Sequence, residues 1–484
     1  MRRALLLPAL LALALAGCGD APGQAGTPAG GSTLQRTLAD PDGDGFLSPA
    51  PGEPLLERRD LGGSTGAATR SLARFGQLTD THVRDAQSPA RVPFLDRYGV
   101  PFTSTFRPQE AESAQVLDAA VRSLDAEHPQ AVAITGDIID NAQSNELEEA
   151  IALLHGGRVS PDSGAPGYDG VQTASDPDPS FYRPGVDAPR HPGLLAAAQR
   201  PFTAAGLDAP WYPAIGNHDV LLQGEVPVTP AIARIATGDR EVVGLDLRAR
   251  PPTDETSAPR AVAALLAGGL PGRTQRVPAD PRRRPLSAAE VVSRLAAAAR
   301  VGTVAGRLDY TFDIGARARA IVLDTVRRDG TSRGLVGPAQ VTWLKAQLSR
   351  ARGRYVVVFS HNPLDASDGG PAALAAMSAS GRVVAAVAGN RHRNTVEPYR
   401  PGGFWLIGTS SLADFPQQAR MFDLMQTDGG GVALETWMVD QDGRGVAGTA
   451  RELAYLDAQG GRPQGFSGKR TDRNVRLDLP LQSP

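Results

Sequence analysis

Five short strings place side chains able to bind cations or move protons directly after runs of apolar residues. They are Asp80-Thr81-His82, Gly136-Asp137-Ile138-Ile139-Asp140, Gly216-Asn217-His218-Asp219, Ser360-His361-Asn362-Pro363 and Gly389-Asn390-Arg391-His392. Four of the seven histidines fall in these strings, whereas His128, His155 and His191 follow no strand-like run. Carboxylates and neutral imidazoles are the donors from which sites for metal ions are made. Asp80 and Asp137 can share cations that offset their mutual repulsion, and imidazoles complete the shell without adding charge. Each residue alone has a plainer reading. An aspartate after a strand is commonly a turn former or a helix cap, Asn217 could relieve strain at a turn, and His361 could be a satisfied core histidine. Only the combination points to a single pocket.

Such a pocket needs rigid elements to deliver its side chains. Arg74 to Thr79, Ala131 to Thr135, Trp211 to Ile215 and Tyr355 to Phe359 read as strands, the last a nearly continuous apolar run expected of a strand covered on both faces. Further strands are expected at Leu308 to Phe312, Ala320 to Leu323, Val383 to Ala388, Phe404 to Ile407, Ala433 to Val439 and around Arg476 to Leu479. Helical spacing of Ala114, Val116, Leu117, Ala120, Val121 and Leu124 marks a helix over 110–125, and Glu146 to Leu154 and 259–267 read the same way. Ser287-Ala288-Ala289-Glu290 is a capping box opening a helix to about Ala299. Pro338 opens another, with Val341, Leu344 and Leu348 facing inward. Residues 156–193, rich in Pro, Gly, Asp and Ser, read as a long surface loop. In a layered α/β fold, loops leaving the strand ends meet at one edge, so sequence separations of tens of residues are no obstacle to a compact site.

In this order the strings resemble the motif set of the calcineurin-like metallophosphoesterase superfamily: Asp-any-His, Gly-Asp-two residues-Asp, Gly-Asn-His-Asp/Glu, a lone His, and Gly-His-any-His. The resemblance covers residues 74–410 apart from two long interruptions, and is narrowest to a bacterial branch with insertions between the shared motifs. It implies an α/β fold, a four-layer αββα sandwich, and hydrolysis of phosphate esters at two metal ions. By that resemblance Asp80, His82, Asp137 and His392 would bind the first ion. Asp137 would bridge to a second, also held by Asn217 and His361, and the pair would activate a bridging water. His218, oriented by Asp219, would serve as general acid or contact a phosphate oxygen, with Asn217 beside it and Arg391 facing either the phosphate or solvent. Asp140 reads as a supporting or capping carboxylate. One position departs from the family: Asn390 stands where histidine is usual. Its carbonyl oxygen is a harder and weaker ligand than imidazole, which favours Mn, Fe or Mg over Zn, with Mn or Fe preferred. A working binuclear site, a site filled only with substrate, and a one-metal relic all stay open.

The 484 residues, 41% apolar and 21% charged, suffice for one large catalytic domain with insertions. Net charge is -2, and neither insertion interleaves basic and aromatic residues, so a nucleic acid polymer is not expected as partner. Arg2 and Arg3 precede an apolar run ending Leu15-Ala16-Gly17-Cys18, the pattern of an export signal whose lone cysteine resembles a lipidation box. This predicts a signal peptide at 1–17, a tether at 18–33, an arm at 34–69, a core at 70–430 with insertions near 141–210 and 220–305, and a strand-rich tail at 431–484 packed on the core. The protein would then be exported and anchored by lipid at Cys18, or secreted if Cys18 is unmodified. Asp40, Asp42 and Asp44 alternate before Gly45 as in the first half of a calcium loop, but the twelfth position is Pro51. Small-molecule or lipid-linked phosphoesters are the expected substrates, with a diesterase or broad phosphoesterase preferred and a phosphomonoesterase or nucleotidase as the alternative. A metal-containing binding or scaffold lipoprotein is the non-enzymatic reading.

Overall fold

The computed structural model describes residues 31–63, 66–99, 102–244, 258–267, 272–328, 331–461 and 466–482. The leader and Cys18 lie outside the described residues. Thirteen strands carry the architecture: β1 (Leu56–Arg58), β2 (Ala68–Leu78), β3 (Val132–Thr135), β4 (Trp211–Ala214), β5 (Tyr310–Ile314), β6 (Ala318–Leu323), β7 (Tyr355–Ser360), β8 (Val383–Ala388), β9 (Thr395–Tyr399), β10 (Phe404–Gly408), β11 (Gln418–Thr427), β12 (Gly431–Asp440) and β13 (Val475–Gln482). One sheet runs β1-β13-β12-β11-β2-β3-β4, with Gly31–Ser32 added beside β12, and the other runs β5-β6-β7-β8-β10-β9. In the first, β2, β3 and β4 are parallel; in the second, β6, β7, β8 and β10 are.

The two sheets face each other through aromatic side chains. Phe75 on β2 meets Phe359 on β7 edge-on at 5.9 Å, and Tyr212 on β4 stacks on Phe312 of β5 at 3.6 Å. Each sheet is then covered by helices on its outer face, because β3, β7 and β8 are buried on both sides. Helices α1 (Ser113–Asp125), α2 (Ser144–His155) and α6 (Val446–Gln459) form the layer over the first sheet, and α4 (Pro338–Arg350) and α5 (Gly370–Ser380) the layer over the second. The result is a four-layer αββα sandwich. The capping box at Ser287 and Glu290 is present at the head of α3 (Ala288–Ala299), where both reciprocal hydrogen bonds form. No helix among the described residues is long and apolar enough to cross a membrane.

The structure sharpens two expectations. Residues 156–193 are not simply a surface loop: Val171 and Phe181 are buried against Phe94, Phe102 and Phe106 in a second hydrophobic cluster outside the sandwich. Pro and Gly there punctuate a segment that lies largely at the surface but is anchored by a few buried side chains. The strand-rich segment after residue 430 contributes to the first sheet itself. Strand β12 lies inside the first sheet between β11 and β13, and α6 packs on α1.

Candidate metal centre

Every string of candidate residues leaves the C-terminal end of a parallel strand. Asp80 and His82 follow β2, Asp137 follows β3, Asn217 and His218 follow β4, His361 follows β7, and Asn390 and His392 follow β8. The strand ends of both sheets therefore deliver their side chains to one edge of the sandwich, where crevices in such sheets lie. The backbone is bent sharply to do so. Asp80, His82, Asp137, Asn390 and His392 all adopt positive φ, between 43° and 65°. Backbone held in the left-handed region costs energy for non-glycine residues and tends to cluster at functional sites. Gly136 shows how close the approach is: a methyl group at its Cα would lie 2.6 Å from the His361 ring.

The side chains converge with their acceptor atoms facing one another. Asp80 Oδ1 is 3.3 Å from His392 Nε2, which is 3.2 Å from His82 Nε2, and His82 Nε2 is 3.9 Å from Asp137 Oδ2. On the other side of Asp137, His361 Nε2 lies 3.3 Å from Asp137 Oδ2 and 3.0 Å from Asn217 Oδ1. Two groups of lone pairs thus share Asp137: Asp80, His82 and His392 on one side, Asn217 and His361 on the other.

What fixes these atoms is the partner of each remaining polar atom. His82 Nδ1 is bonded to Asp140 Oδ1 at 2.9 Å, His392 Nδ1 to Asp414 Oδ2 at 2.5 Å, and His361 Nδ1 to the Thr135 carbonyl at 2.9 Å. An acceptor at Nδ1 holds the proton there and leaves Nε2 as a lone pair, the arrangement of metal-ligating histidines. Asn217 donates through Nδ2 to the Gly224 carbonyl at 3.1 Å, which turns its Oδ1 inward. The donor set therefore fits two cations, as its chemistry consists of buried carboxylates, lone-pair imidazole nitrogens and an amide oxygen.

The electrostatics agree. Burial disfavours charge on His361 and His392, yet Asp137 beside the first and Asp80 with Asp414 beside the second raise their pKa values to about 10 and about 9. The carboxylates hold that much positive charge, so protons and metal ions compete for the same atoms. His82, buried and beside His218, is pushed down to about 4.

The structure places the other candidates as follows. His218 lies beside this cluster, its Nδ1 2.9 Å from Asp140 Oδ1 and its backbone N–H donating to Asp137 Oδ1 at 2.8 Å. Burial works against its charge, but Asp137 and Asp140 outweigh it and raise its pKa. Asp219 does not orient His218. It accepts from the backbone N–H groups of Ile138, Ile139 and Gly216 and so locks the β3 and β4 loops together. The orienting carboxylate is Asp140, three residues after Asp137, where the loop turns it back toward both imidazoles. Asn390 donates its backbone N–H to both Asp80 oxygens at 3.1 Å, and its side-chain amide hydrogen-bonds no described residue. Arg391 lies half exposed on the rim, 4.0 Å from Asp365.

Three residues escaped sequence reasoning. Arg107 is buried and grips Asp414 through Nε at 2.6 Å and Nη2 at 3.1 Å, and Arg84 Nε lies 3.0 Å from Asp140 Oδ2. Both carboxylates that orient histidines are thus capped by buried guanidinium groups, which hold Asp140 and Asp414 well below the ordinary carboxylate range despite burial. In sequence Arg84 and Arg107 are indistinguishable from surface arginines. Asp414, a carboxylate shortly after strand β10, gave the only available signal. The centre opens into a cleft of about 400 Å³ whose walls include Ser104, Glu225, Arg333, Asn362, Arg391 and Phe466. Away from it, Asp40, Asp42 and Asp44 each bring one oxygen within 4.8 Å of the others. Both Asp40 oxygens there accept from backbone N–H groups, of Asp44 and Gly45.

No family model matches the chain, and no curated protein does. Among solved structures it is similar to a dimetal phosphatase from Danio rerio, at 14% identity over 77% of this chain and 97% of that one, with a TM-score of 0.42. It is also similar to purple acid phosphatase PPD1 from yellow lupin (Lupinus luteus) seeds, at 13% identity over 76% of this chain and 52% of that one, TM-score 0.30. A third is the sulfate thiohydrolase SoxB of Termus thermophilus in complex with glycerol, at 14% identity over 81% and 61%, TM-score 0.30. Identities of this size leave the centre to be argued from its own geometry.

Proposed function

We propose that this chain is a metal-dependent phosphoesterase that hydrolyses phosphate esters, with a preference for diesters or a broad range of small or lipid-linked esters. The observation that carries the reading is the pair of donor groups sharing Asp137, with the second nitrogen of His82, His361 and His392 each held by an acceptor. Asp80, His82, Asp137 and His392 would hold one ion, and Asp137, Asn217 and His361 the other, with Mn or Fe preferred. Bound there, the ions supply Lewis acidity toward phosphoryl oxygens and a water activated at neutral pH.

The remaining work belongs to the chain. His218 lines the cleft beside Asp137, and its proton can pass from Nε2 to the departing oxygen while Asp140 holds Nδ1. The hydrogen bond that His218 Nδ1 donates to Asp140 favours the charged imidazole even when cations offset Asp137. Arg84 in turn keeps Asp140 ionised, so the acid is oriented by a carboxylate that does not take up its proton. Arg107 does the same for Asp414 behind His392.

Loading with Mn or Fe at pH 8, where protons compete less for His361 and His392, followed by assays with 4-nitrophenyl phosphate and bis(4-nitrophenyl) phosphate, tests the reading. Two ions per chain and turnover of at least one ester are expected. Changing His361→Ala should leave about one ion and lower the rate by at least about a hundredfold. A chain that takes up no divalent ion, or that turns over neither ester once loaded, overturns it. The proposal extends to export and lipid anchoring at Cys18. Mass spectrometry of the N-terminal peptide from a membrane fraction would find an acylated cysteine there, and an unmodified Met1 would refute it.

A further inference from the structure

The rim of the cleft carries cations that the catalytic reading does not use. Arg333 and Arg391 both line it, and both are substantially exposed, with side chains 71% and 49% accessible. Their contacts are loose. Arg333 Nη2 reaches Asp368 Oδ1 at 3.5 Å, and Arg391 Nη2 lies 4.0 Å from Asp365 Oδ2. Asp368 is moreover shared, its other oxygen being bound by Arg327. The contrast with Arg107 is instructive: that guanidinium, lining the same cleft, is buried and fully engaged by Asp414 and the Ser104 carbonyl. Arg107 is built into the wall, whereas Arg333 and Arg391 keep donors turned to solvent.

A guanidinium on a flexible stem, weakly paired and next to an anion-binding centre, offers planar donors suited to phosphate or carboxylate oxygens. Ser332 and Asn362 beside them add short polar side chains to the same wall. We propose that Arg333 and Arg391 form a subsite for a second anionic group of the substrate, separate from the phosphoryl group under attack. The preferred substrates are then organic phosphates bearing a further phosphate or carboxylate, rather than esters with a single charged group. This rests on the phosphoesterase reading, for it is the metal centre that would hold the first anionic group.

Matched phosphonates, which a phosphoesterase does not cleave, read the subsite without turnover. Calorimetry on the Mn-loaded protein would compare hexylphosphonate with 1,6-hexanediphosphonate and its shorter and longer homologues. A diphosphonate of suitable length should bind about tenfold tighter than the monophosphonate, the order expected for two solvent-exposed charge pairs, with the advantage shrinking as salt is added. In the double variant Arg333→Gln Arg391→Gln that preference ratio should fall to near one. Equal affinities in the native protein at every chain length, or a ratio unchanged in the variant while both affinities fall together, overturns the subsite. Esterase assays on the same samples separate the two ideas. Turnover of simple esters without a diphosphonate preference sinks the subsite alone, and binding preference without turnover of any ester sinks the phosphoesterase reading alone.

Discussion

Asp140 is one carboxylate oxygen serving two imidazoles, His82 and His218, with Arg84 on its other oxygen. Removing its charge should therefore disturb metal binding and proton transfer together. Asp140→Asn is expected to weaken the metal bound through His82 by about 10–100-fold, since the imidazole loses the acceptor that fixes its tautomer. It should also lower kcat/KM by about 10²–10⁴, the range for a general acid. Because Asp140 acts partly through His218, the double variant Asp140→Asn His218→Ala should lose much less than the product of the single losses. Steady-state kinetics and metal titration on the three proteins would check this; fully multiplicative losses would mean that the two residues act apart. At this scale the strings were legible because each follows a parallel strand directly and those strand ends meet at one edge. Asp219 misled because sequence adjacency to His218 says nothing about direction. Its three backbone partners show a staple between loops, whereas Asp140, in the neighbouring loop, turns toward the rings.

Among elements, the strands that end in the polar strings announced themselves through apolar runs, and α3 through its capping box, whereas β9 and β11 had no counterpart among the expected strands. The weak points were the long interruptions, where binary patterning says little. These segments are tied to the sandwich by buried polar side chains. Arg283, fully buried, bonds Asp85 at 3.1 Å, Ser163 Oγ at 2.8 Å and the Pro278 carbonyl at 2.7 Å, joining three distant segments. No pattern in sequence marks such an arginine. Replacing it by a similar apolar volume leaves the buried Asp85 carboxylate without its cation. Arg283→Met should accordingly destabilise the fold by about 3–5 kcal/mol. Urea unfolding would show a lowered midpoint, and a change under about 1 kcal/mol would show that Asn145 and Ser163, which donate to Asp85 at 2.7 Å and 2.8 Å, already satisfy it.

Across the whole molecule the chain buries many carboxylates, and those without a cation make stability depend on pH. The sequence disclosed the number of acids but not which lose their water. Glu112, at the start of α1, is fully buried and neither carboxylate oxygen hydrogen-bonds another described residue. Burial, reinforced by Glu110, raises its pKa from 4.5 to about 8. Between those values the folded chain keeps a proton that the unfolded chain releases, so the contribution to stability falls as pH rises through this window and levels off above it. The full shift corresponds to about 5 kcal/mol as an upper bound, at 1.36 kcal/mol per unit. Glu112→Gln removes the titration while keeping the shape. Its melting curve should coincide with that of the native protein near pH 4.5 and lie progressively higher toward pH 8. Other buried acids with raised pKa values, such as Glu146 and Glu241, act on both proteins alike and cancel in the difference. Calorimetric scans across the window would decide it, and a gap independent of pH would mean that Glu112 reaches water in the folded protein.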